Sequence, residues 1–388
     1  MNRALILALL IATPACAAPV PQAAPNVPEK KAAFAGQTRA EAVVAKTRLS
    51  VTEIATGLNR PWGVALLDKG RFLVSEKAAG RLTIVGADGS KTPVTGTPAT
   101  DARAQGGMLG VANPGDGWIY WSYAEPREGG NGTAVARGHL VGSEMRDVAV
   151  IFRQQPSLDS VQHYGGRLVF PKDGTLIITL GDRSILPGRV QAQKLDSLIG
   201  KIVRVNRDGS IPQNNPFVNA PGARPEIWSY GNRNVQGAAL DAKGRLWEVE
   251  HGPQGGDELN QIQMGRDYGW PTIGYGEEYS GKPINENATQ APGMEQPQYY
   301  WDPVIGPSGM IFHSGKGAPE FKGNIFVGGL RAASLVRLVM NGDKVAGEER
   351  LLTDRKERIR DVIEGPAGEM YLLTDAADGK LLKVTPQK

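Results

Sequence analysis

Short runs of alternating apolar residues recur along this chain and are separated by turn-forming residues. Each copy starts at a small residue or an aspartate, passes through an Asp/Gly-type turn and ends in a second apolar run. Alternation with a period of two, broken by such turns, predicts β-hairpins. The two runs of the six copies begin at Gly63 and Arg71, Gly107 and Trp118, Gly166 and Thr175, Gly237 and Arg245, Gly309 and Asn324, and Asp361 and Glu369.

The even recurrence of the hairpins predicts an all-β fold. Six hairpin cores spaced roughly 45 to 70 residues apart are typical of a six-bladed β-propeller with four-stranded antiparallel blades. We assign residues 46–388 to this single domain, because each blade buries its faces only against its neighbours. A pair of β-sandwiches is the alternative, although it explains the regular recurrence less well. Helical content should be low, with residues 189–198 as the best helix candidate.

The first 45 residues differ from the rest of the chain. Arg3, an apolar run over residues 4–12 and the small residues Ala15-Cys16-Ala17 predict a secretory signal peptide over residues 1–17. Its cleavage removes the only cysteine and predicts a periplasmic or secreted protein; retention of Cys16 as a lipid anchor fits poorly with the preceding Thr13-Pro14. Residues 18–45, rich in Ala, Pro and Gln, read as a flexible leader. No membrane span is predicted, since no later segment has eighteen consecutive apolar residues.

Charge and missing motifs exclude several functions. The net charge of +4 is dispersed, and the densest basic patch, residues 353–360, lacks the aromatic residues or groove helix of a nucleic-acid site. No nucleic-acid partner is therefore expected. The chain has no G-x-G-x-x-G, Walker A or H-E-x-x-H motif. Without a retained cysteine, thiol nucleophiles and iron–sulfur ligation are excluded as well.

The segment 230–270 carries the densest candidate chemistry. An arginine, carbonyls beside a proline and paired carboxylates can together bind a polyanionic cofactor and a hard cation such as calcium. The alternative is a decorated hairpin whose charges face water. The candidates are Arg233, Asn234, Glu250, His251, Gly252, Pro253, Asp257, Glu258 and Tyr268.

Loops at one end of a propeller converge on its channel, so polar residues before other hairpins can share this site. His163 opens the third hairpin beside glycines, where a neutral imidazole could accept a proton, although a lone histidine is more often a packed residue. Arg358 and Arg360 alternate as on a strand and suggest an anion site, although a solvated edge is the commoner use of such pairs. Gln105 precedes the second hairpin in the same way.

Taken together and in order, these motifs resemble the soluble PQQ-dependent aldose sugar dehydrogenases of the glucose/sorbosone dehydrogenase family. The resemblance runs from about Gly57 to the C-terminus. Its most specific motifs here are Gln105-Gly-Gly-Met-Leu-Gly, His163-Tyr-Gly-Gly-Arg-Leu-Val-Phe, Glu226-Ile-Trp-Ser-Tyr-Gly-Asn-Arg-Asn-Val-Gln-Gly, Glu250-His-Gly-Pro-Gln-Gly-Gly-Asp-Glu-Leu-Asn, Tyr268-Gly-Trp-Pro and Arg358-Ile-Arg-Asp-Val.

The resemblance implies oxidation of an aldose mono- or disaccharide at C1 to a lactone, with hydride transfer to PQQ. It implies that His163 is the general base, that Arg233 stabilises negative charge on the cofactor, and that Gln105 binds the sugar or orients the base. Cofactor contacts are implied for Asn234, His251, Gly252, Pro253, Arg331, Arg358 and Arg360. The carbonyls of Gly252 and Pro253 would hold a calcium ion at PQQ; Asp257, Glu258 and the Tyr268 carbonyl would hold a second, structural one.

Three departures separate this sequence from the glucose-specific, dimeric branch. Gln162 stands where that branch has an aspartate before the histidine, so a carboxylate orienting the imidazole must come from elsewhere or be absent. Arg331 replaces a lysine and Val235 a proline. We therefore expect a monomer of the broad-specificity aldose branch, with an electron acceptor that the sequence leaves open. A calcium-dependent lactonase and a glycan-binding propeller without catalysis are the alternatives.

Overall fold

Twenty-four β-strands in the described part of the chain form six sheets of four antiparallel strands each. The structure is a computed structural model and describes residue 20 and residues 23–387; the predicted signal peptide, residues 1–17, lies outside them. Consecutive sheets lie side by side as the blades of a β-propeller, which confirms the predicted fold. The six predicted hairpins are the two inner strands of the six blades.

The first three blades follow the chain in order, and the first strand, β1 (Arg48–Leu58), belongs to the last blade. Blade 1 comprises β2 (Pro61–Leu66), β3 (Phe72–Glu76), β4 (Arg81–Val85) and β5 (Lys91–Val94). Blade 2 comprises β6 (Met108–Ala112), β7 (Ile119–Arg127), β8 (Gly130–Val141) and β9 (Glu144–Arg153). Blade 3 comprises β10 (Gly165–Val169), β11 (Thr175–Leu180), β12 (Lys201–Asn206) and β13 (Ile227–Tyr230).

The remaining blades continue in order, and β1 closes the ring. Blade 4 comprises β14 (Val235–Leu240), β15 (Leu246–Glu250), β16 (Asp257–Ile262) and β17 (Tyr299–Trp301). Blade 5 comprises β18 (Pro307–Phe312), β19 (Ile325–Gly329), β20 (Ser334–Asn341) and β21 (Lys344–Leu351). Blade 6 comprises β22 (Ile359–Glu364), β23 (Met370–Thr374), β24 (Gly379–Gln387) and β1, which pairs antiparallel with β24. N-terminal and C-terminal segments thus share one sheet.

Apolar residues fill the spaces between neighbouring blades. Leu73 of blade 1 and Trp121 of blade 2 belong to one buried cluster, and Trp247 of blade 4 and Val327 of blade 5 belong to another. Every blade buries both of its faces, one against each neighbouring blade, so its strands carry apolar side chains on both faces.

The inner strands approach one another closely around the channel. A Cβ atom on Gly110 would lie 2.3 Å from the carbonyl oxygen of Gly166, and one on Gly237 would lie 2.1 Å from that of Ser308. Only glycine permits this backbone approach. Hydroxyl groups of the strands form hydrogen bonds between adjacent blades; for example, Thr179 Oγ1 donates to the Val235 carbonyl at 3.0 Å.

Helices are few, as predicted, but the predicted helix over residues 189–198 is wrong. The described α-helix is a single turn, α1 (Leu186–Arg189), and residues 190–198 form turns. The Lys201 ammonium donates to the carbonyls of Gln191, Ala192 and Ile199 at 2.7–2.9 Å, which fixes this segment by side-chain bonds. Short 3₁₀ turns lie at Asp68–Gly70, Asn285–Asn287, Pro319–Phe321 and Thr353–Arg355. None of the described helices has the length and apolar character needed to cross a bilayer.

The predicted flexible leader is packed over its described residues, which corrects that expectation. The backbone N–H groups of Asn26 and Val27 donate to the Asp302 carboxylate at 2.8 and 3.0 Å, and Lys30 Nζ donates to the Gly274 carbonyl at 2.6 Å. Further along, the Val43 N–H donates to the Glu348 carbonyl of β21. The segment docks on blades 4 and 5 through backbone and polar groups, so apolar periodicity gave no signal for it.

We predict that Asp302→Ala releases the start of this segment. Loss of two charge-assisted hydrogen bonds should raise the fraction of molecules in which this segment is detached. The rate of trypsin cleavage after Lys30 and Lys31 should therefore rise on the order of tenfold or more. Time-resolved proteolysis with mass spectrometry measures the rate. Asp378→Ala, which removes a similar bond to the Gly57 N–H, is the control. Equal cleavage rates in both variants would contradict the docking role of Asp302.

Candidate active site

A histidine–aspartate pair lies at one end of blade 3. His163 lies two residues before Gly165, the first residue of β10, and Asp182 lies two residues after the end of β11. His163 Nδ1 and Asp182 Oδ1 are 2.6 Å apart. Gly165 pairs with Leu180 in the antiparallel ladder, so continuing the register sets position 163 opposite position 182. The carboxylate that the sequence lacked at Gln162 is thus supplied by the other strand of the same hairpin.

Asp182 is held from three further directions. Its Oδ2 accepts from Trp270 Nε1 at 2.7 Å, its Oδ1 accepts from the Ser184 N–H at 2.8 Å, and its own N–H donates to the Arg233 carbonyl at 2.8 Å. A buried carboxylate with this many donors has a fixed direction. The pair therefore joins the loops of blades 3 and 4 in one network.

The His163 imidazole is neutral at neutral pH. Burial, and then the charge of Arg233, lower its pKa and outweigh the raising effect of Asp182. Burial opposes ionisation of Asp182, but the bond to His163 and the other donors outweigh it and hold the pKa of Asp182 below its usual value. Because Nδ1 faces a carboxylate, the proton of the neutral ring belongs there. Nε2 is then free to accept a proton.

Gln105 contacts the backbone of the base. Its Oε1 accepts from the His163 N–H at 3.0 Å, across the gap between blades 2 and 3, and the residue is otherwise exposed. His163 has a φ of 48°, in the left-handed region that non-glycine residues seldom adopt. The Gln105 contact thus holds a strained backbone position in place.

Arg233 and Asn234 fix the loop before β14. Arg233 Nη1 donates to the carbonyls of His251 and Gly252 at 3.1 and 2.9 Å, and the guanidinium lies 5.3 Å from the Trp270 ring centroid. Asn234 Oδ1 accepts from the Gly165 N–H at 3.2 Å, beside the His163 loop. Arg233 therefore places a buried positive charge next to the histidine–aspartate pair.

Two arginines of blade 6 share one carboxylate. Arg358 Nη2 and Arg360 Nη2 donate to Asp375 Oδ2 at 2.9 and 3.0 Å, and Arg360 Nη1 donates to Gln236 Oε1 at 2.6 Å. Burial opposes ionisation of Asp375, but the charges of Arg360 and Arg358 have the larger effect and lower its pKa to about 2. Two cations against one anion leave a net positive charge beside blade 4.

Arg331 lies close to this pair. It is exposed, and Arg358 Nη1 donates to the carbonyl of the preceding residue, Leu330, at 3.1 Å. The Arg331 N–H donates to the Ile305 carbonyl at 2.8 Å, which fixes its backbone. The structure thus brings the backbone of Arg331 beside Arg358, while the Arg331 side chain lines a separate cavity with Val43 and Glu348.

Asp257 is a backbone clamp in this structure. Its Oδ1 accepts from the Gly252 N–H at 2.9 Å, and its Oδ2 accepts from the N–H groups of Ile305 and Gly306 at 2.7 and 2.8 Å. These bonds orient the Gly252 peptide and join the ends of blades 4 and 5. The neighbouring His251 is also structural: burial lowers its pKa to about 3, and its Nε2 donates to the Pro307 carbonyl at 2.6 Å.

A buried carboxylate cluster lies behind this loop. Glu250 and Glu258 face each other on β15 and β16, and Glu248 lies two residues along β15. Burial raises the pKa of Glu250 to about 7; burial and then the charge of Glu250 raise that of Glu258 to about 8. A cavity between Arg233 and the cluster is lined by Glu250, Gly252, Pro253, Glu258, Tyr268 and Trp270, among others.

The cavity offers carboxylate and main-chain oxygen atoms as possible metal ligands, with the His251 imidazole beside them. Within the residues that the structure describes, no three His, Cys, Asp or Glu side chains are grouped as a metal site. A cation here would therefore need main-chain carbonyls, such as those of Gly252, Pro253 and Tyr268, beside the Glu258 carboxylate. Calcium accepts such mixed oxygen ligands.

The comparisons with known proteins identify the family. A family model described as glucose/sorbosone dehydrogenase matches residues 58–383. The chain belongs to this family. The match covers blades 1 to 5 and most of blade 6, and it confirms the resemblance found in the sequence motifs.

Several named sugar dehydrogenases are similar to this chain over nearly its whole length. The aldose sugar dehydrogenase YliI of Escherichia coli K12 is 41% identical over 353 residues, 88% of this chain and 94% of the relative. The apo-form structure of the soluble aldose sugar dehydrogenase from E. coli is 41% identical and superposes with a TM-score of 0.84, covering 88% of this chain and 100% of that one. The PQQ-bound aldose sugar dehydrogenase of Streptomyces coelicolor is 30% identical, with a TM-score of 0.73 and coverage of 89% and 99%.

Sequence reasoning missed two acidic residues of this family member's site. Asp182 could have been found by extending the β10–β11 register past Gly165 and Leu180. Asp375 follows β23 and gives no local signal, since it meets Arg358 and Arg360 only through the hairpin of blade 6.

We predict that Asp182→Asn lowers the pKa of His163 further, because the carboxylate raises that pKa in the native protein. NMR titration of the imidazole signals measures it, and the chain's four histidines make assignment tractable. His139, on blade 2 and bonded to the Gly117 carbonyl, serves as the internal control. An unchanged or higher His163 pKa would show that Asp182 does not stabilise the imidazolium.

Proposed function

We propose that this chain is a PQQ- and calcium-dependent dehydrogenase that oxidises aldoses at C1 to lactones. One observation carries the proposal: a buried histidine bonded to a buried aspartate is joined by a direct hydrogen bond to the loop of Arg233, at the end of the ring where the arginine cluster of Arg358 and Arg360 lies. A proton acceptor beside fixed positive charge suits the removal of a proton from the C1 hydroxyl and of a hydride from C1.

The charges of the site fit a tricarboxylated quinone. Within the described chain, Arg358 and Arg360 share the single carboxylate of Asp375, and the buried Nε atoms of Arg233 and Arg360 have no hydrogen-bond partner. Buried arginine N–H groups without acceptors are costly, and carboxylates satisfy them best. Arg331, Arg358, Arg360 and the amide of Asn234 would hold the cofactor's acidic groups.

PQQ, when bound, supplies the two-electron acceptor; the residues of the chain handle the proton. His163 Nε2 accepts the proton of the C1 hydroxyl, while Nδ1–H stays bonded to Asp182. Asp182 stabilises the resulting imidazolium, and Trp270 and Ser184 keep that carboxylate in place. Gln105 holds the His163 backbone and leaves its amide nitrogen for the sugar. Arg233 adds preorganised positive charge on the same side.

The loop after β15 fits a hard cation through its carbonyls. Asp257 accepts from the Gly252 N–H and so orients this loop. The carbonyls of Gly252 and Pro253 would be ligands of a calcium ion at the cofactor, with the second lone pair of the Gly252 oxygen accepting from Arg233. Glu258 and the Tyr268 carbonyl would hold a second, structural ion. Asp257 itself fits poorly as a ligand because both of its oxygens already accept backbone N–H groups.

That use of Asp257 also weighs against the lactonase alternative, which needs carboxylates of this loop on a hydrolytic metal.

The proposed enzyme acts in the periplasm or outside the cell if residues 1–17 are the predicted signal peptide. We further expect a monomer with a broad range of aldose substrates.

Reconstitution tests the proposed function. Protein made without PQQ should oxidise no sugar, and PQQ with calcium should restore dye-linked oxidation over a panel of mono- and disaccharides. Absorbance titration with PQQ, with and without calcium, follows binding separately. Failure to restore oxidation of any sugar would refute the proposal; lactone hydrolysis without PQQ would favour the lactonase, and saturable sugar binding without electron transfer a glycan-binding protein.

We predict that His163→Ala lowers kcat by about 10²- to 10⁴-fold, the contribution of a positioned general base, while PQQ affinity is retained. Steady-state kinetics and the PQQ titration measure the two effects. His139→Ala, a histidine of blade 2 outside the site, should leave both unchanged. Turnover by the His163 variant at the wild-type rate would remove His163 from the mechanism.

We predict that Glu258→Gln abolishes the calcium-dependent rise in Tm but does not lower the Tm of the calcium-free protein. The change removes an anionic ligand and also removes like-charge repulsion with Glu250 and Glu248. Thermal unfolding with and without calcium measures both effects. Glu364→Gln, on blade 6, is the control. A calcium response equal to that of the wild type would show that Glu258 is not a ligand.

A further inference from the structure

Lys77 is a buried cation that no step above uses. It follows β3 of blade 1, and the residue is only 8% exposed. Its Nζ donates to the carbonyl of Ala104 at 2.6 Å, directly before Gln105. Lys77 thus reaches from blade 1 to the loop that holds the His163 backbone.

A second buried lysine shows what a purely structural role looks like. The Lys201 ammonium donates to three carbonyls at 2.7–2.9 Å, which uses all three of its N–H groups. Lys77 makes one such bond, and within the described residues it has no ion pair. Two N–H groups of a buried ammonium are therefore available to a ligand.

The charges around Lys77 call for an anion. The charges of Arg60 and Arg360 act on it together with a single acid, Asp375, which already accepts from both Arg358 and Arg360. Burial, and then the charge of Arg360, lower the pKa of Lys77 to about 8. Of these cations Lys77 and Arg360 are buried. Two buried cations beside one shared carboxylate are costly, and an anionic ligand removes that cost.

We propose that Lys77 is a further anion-binding residue of the cofactor site and donates to a carboxylate of bound PQQ. The proposal deepens the proposed function and rests on it. Through the Ala104 carbonyl, the same ammonium also fixes the loop that carries Gln105. Lys77 thereby both anchors the cofactor and helps to align the base, His163.

Direct binding tests this role without relying on turnover. Apoprotein of the wild type, Lys77→Met and Lys77→Arg is titrated with PQQ and calcium between pH 6.5 and 9.5, and binding is followed by absorbance and tryptophan fluorescence. At pH 7 the Met variant should bind PQQ about 10- to 100-fold more weakly, the effect of one charge-assisted hydrogen bond. The Arg variant should bind nearly as well as the wild type.

The pH dependence separates binding from a structural role. An amine with a lowered pKa is charged below that pKa and neutral above it, so wild-type PQQ affinity should fall as the pH rises past 8. A bound carboxylate raises the pKa of the amine in the complex, so the affinity falls between the pKa of the free protein and this higher pKa. The Arg variant keeps its charge and should show no such fall up to pH 9.5. The Met variant should show none either, since it has no titrating amine.

Each outcome is decisive. If the wild type binds no PQQ, the proposed function fails, and the role of Lys77 fails with it. If the wild type binds and Lys77→Met has the same affinity and pH slope, only the Lys77 proposal is overturned. If the Met variant does not fold, Lys77→Arg decides. A fall of its PQQ affinity above pH 8 like that of the wild type overturns the proposal, and the absence of this fall supports it. Lys383→Met, on β24, is the control for loss of a surface charge.

Discussion

Close approach of the inner strands around the channel is the constraint on which the rest of the structure depends. Glycines such as Gly110 and Gly237 let neighbouring backbones come within distances that a Cβ would prevent, and hydroxyl groups bond across the gaps. The strand β1 then completes the last blade beside β24. The ring closes, and each blade gains two neighbours with which to bury its apolar faces.

Ring closure makes one chemical site out of residues far apart in the sequence. Arg360 bonds Gln236 across 124 positions, and His163 bonds Gln105 across 58. The loops of His163, Arg233 and Gln105 each end at an inner strand, so their positions are set by a hydrogen-bonded ladder. A rigid frame of this kind holds the histidine–aspartate pair in a single geometry.

Buried charge is the second theme of the molecule. The arginine cluster has too few acids, whereas the Glu248, Glu250 and Glu258 cluster has too few cations, and the two regions adjoin at Arg233. Both imbalances oppose folding of the ligand-free chain. A polyanion on one side and a divalent cation on the other would balance them, which links cofactor loading to stability.

The sequence by itself determined the six hairpins, the family and the positions of the motif residues, because turns, pleat alternation and motifs are local patterns. Tertiary structure alone decided what those residues contact. It supplied Asp182 through strand register, paired Asp375 with two arginines, made Asp257 a clamp, and packed residues 23–45 through backbone bonds that leave no apolar pattern. Partners of buried polar groups depend on which strands become neighbours, and that is settled only when the ring closes.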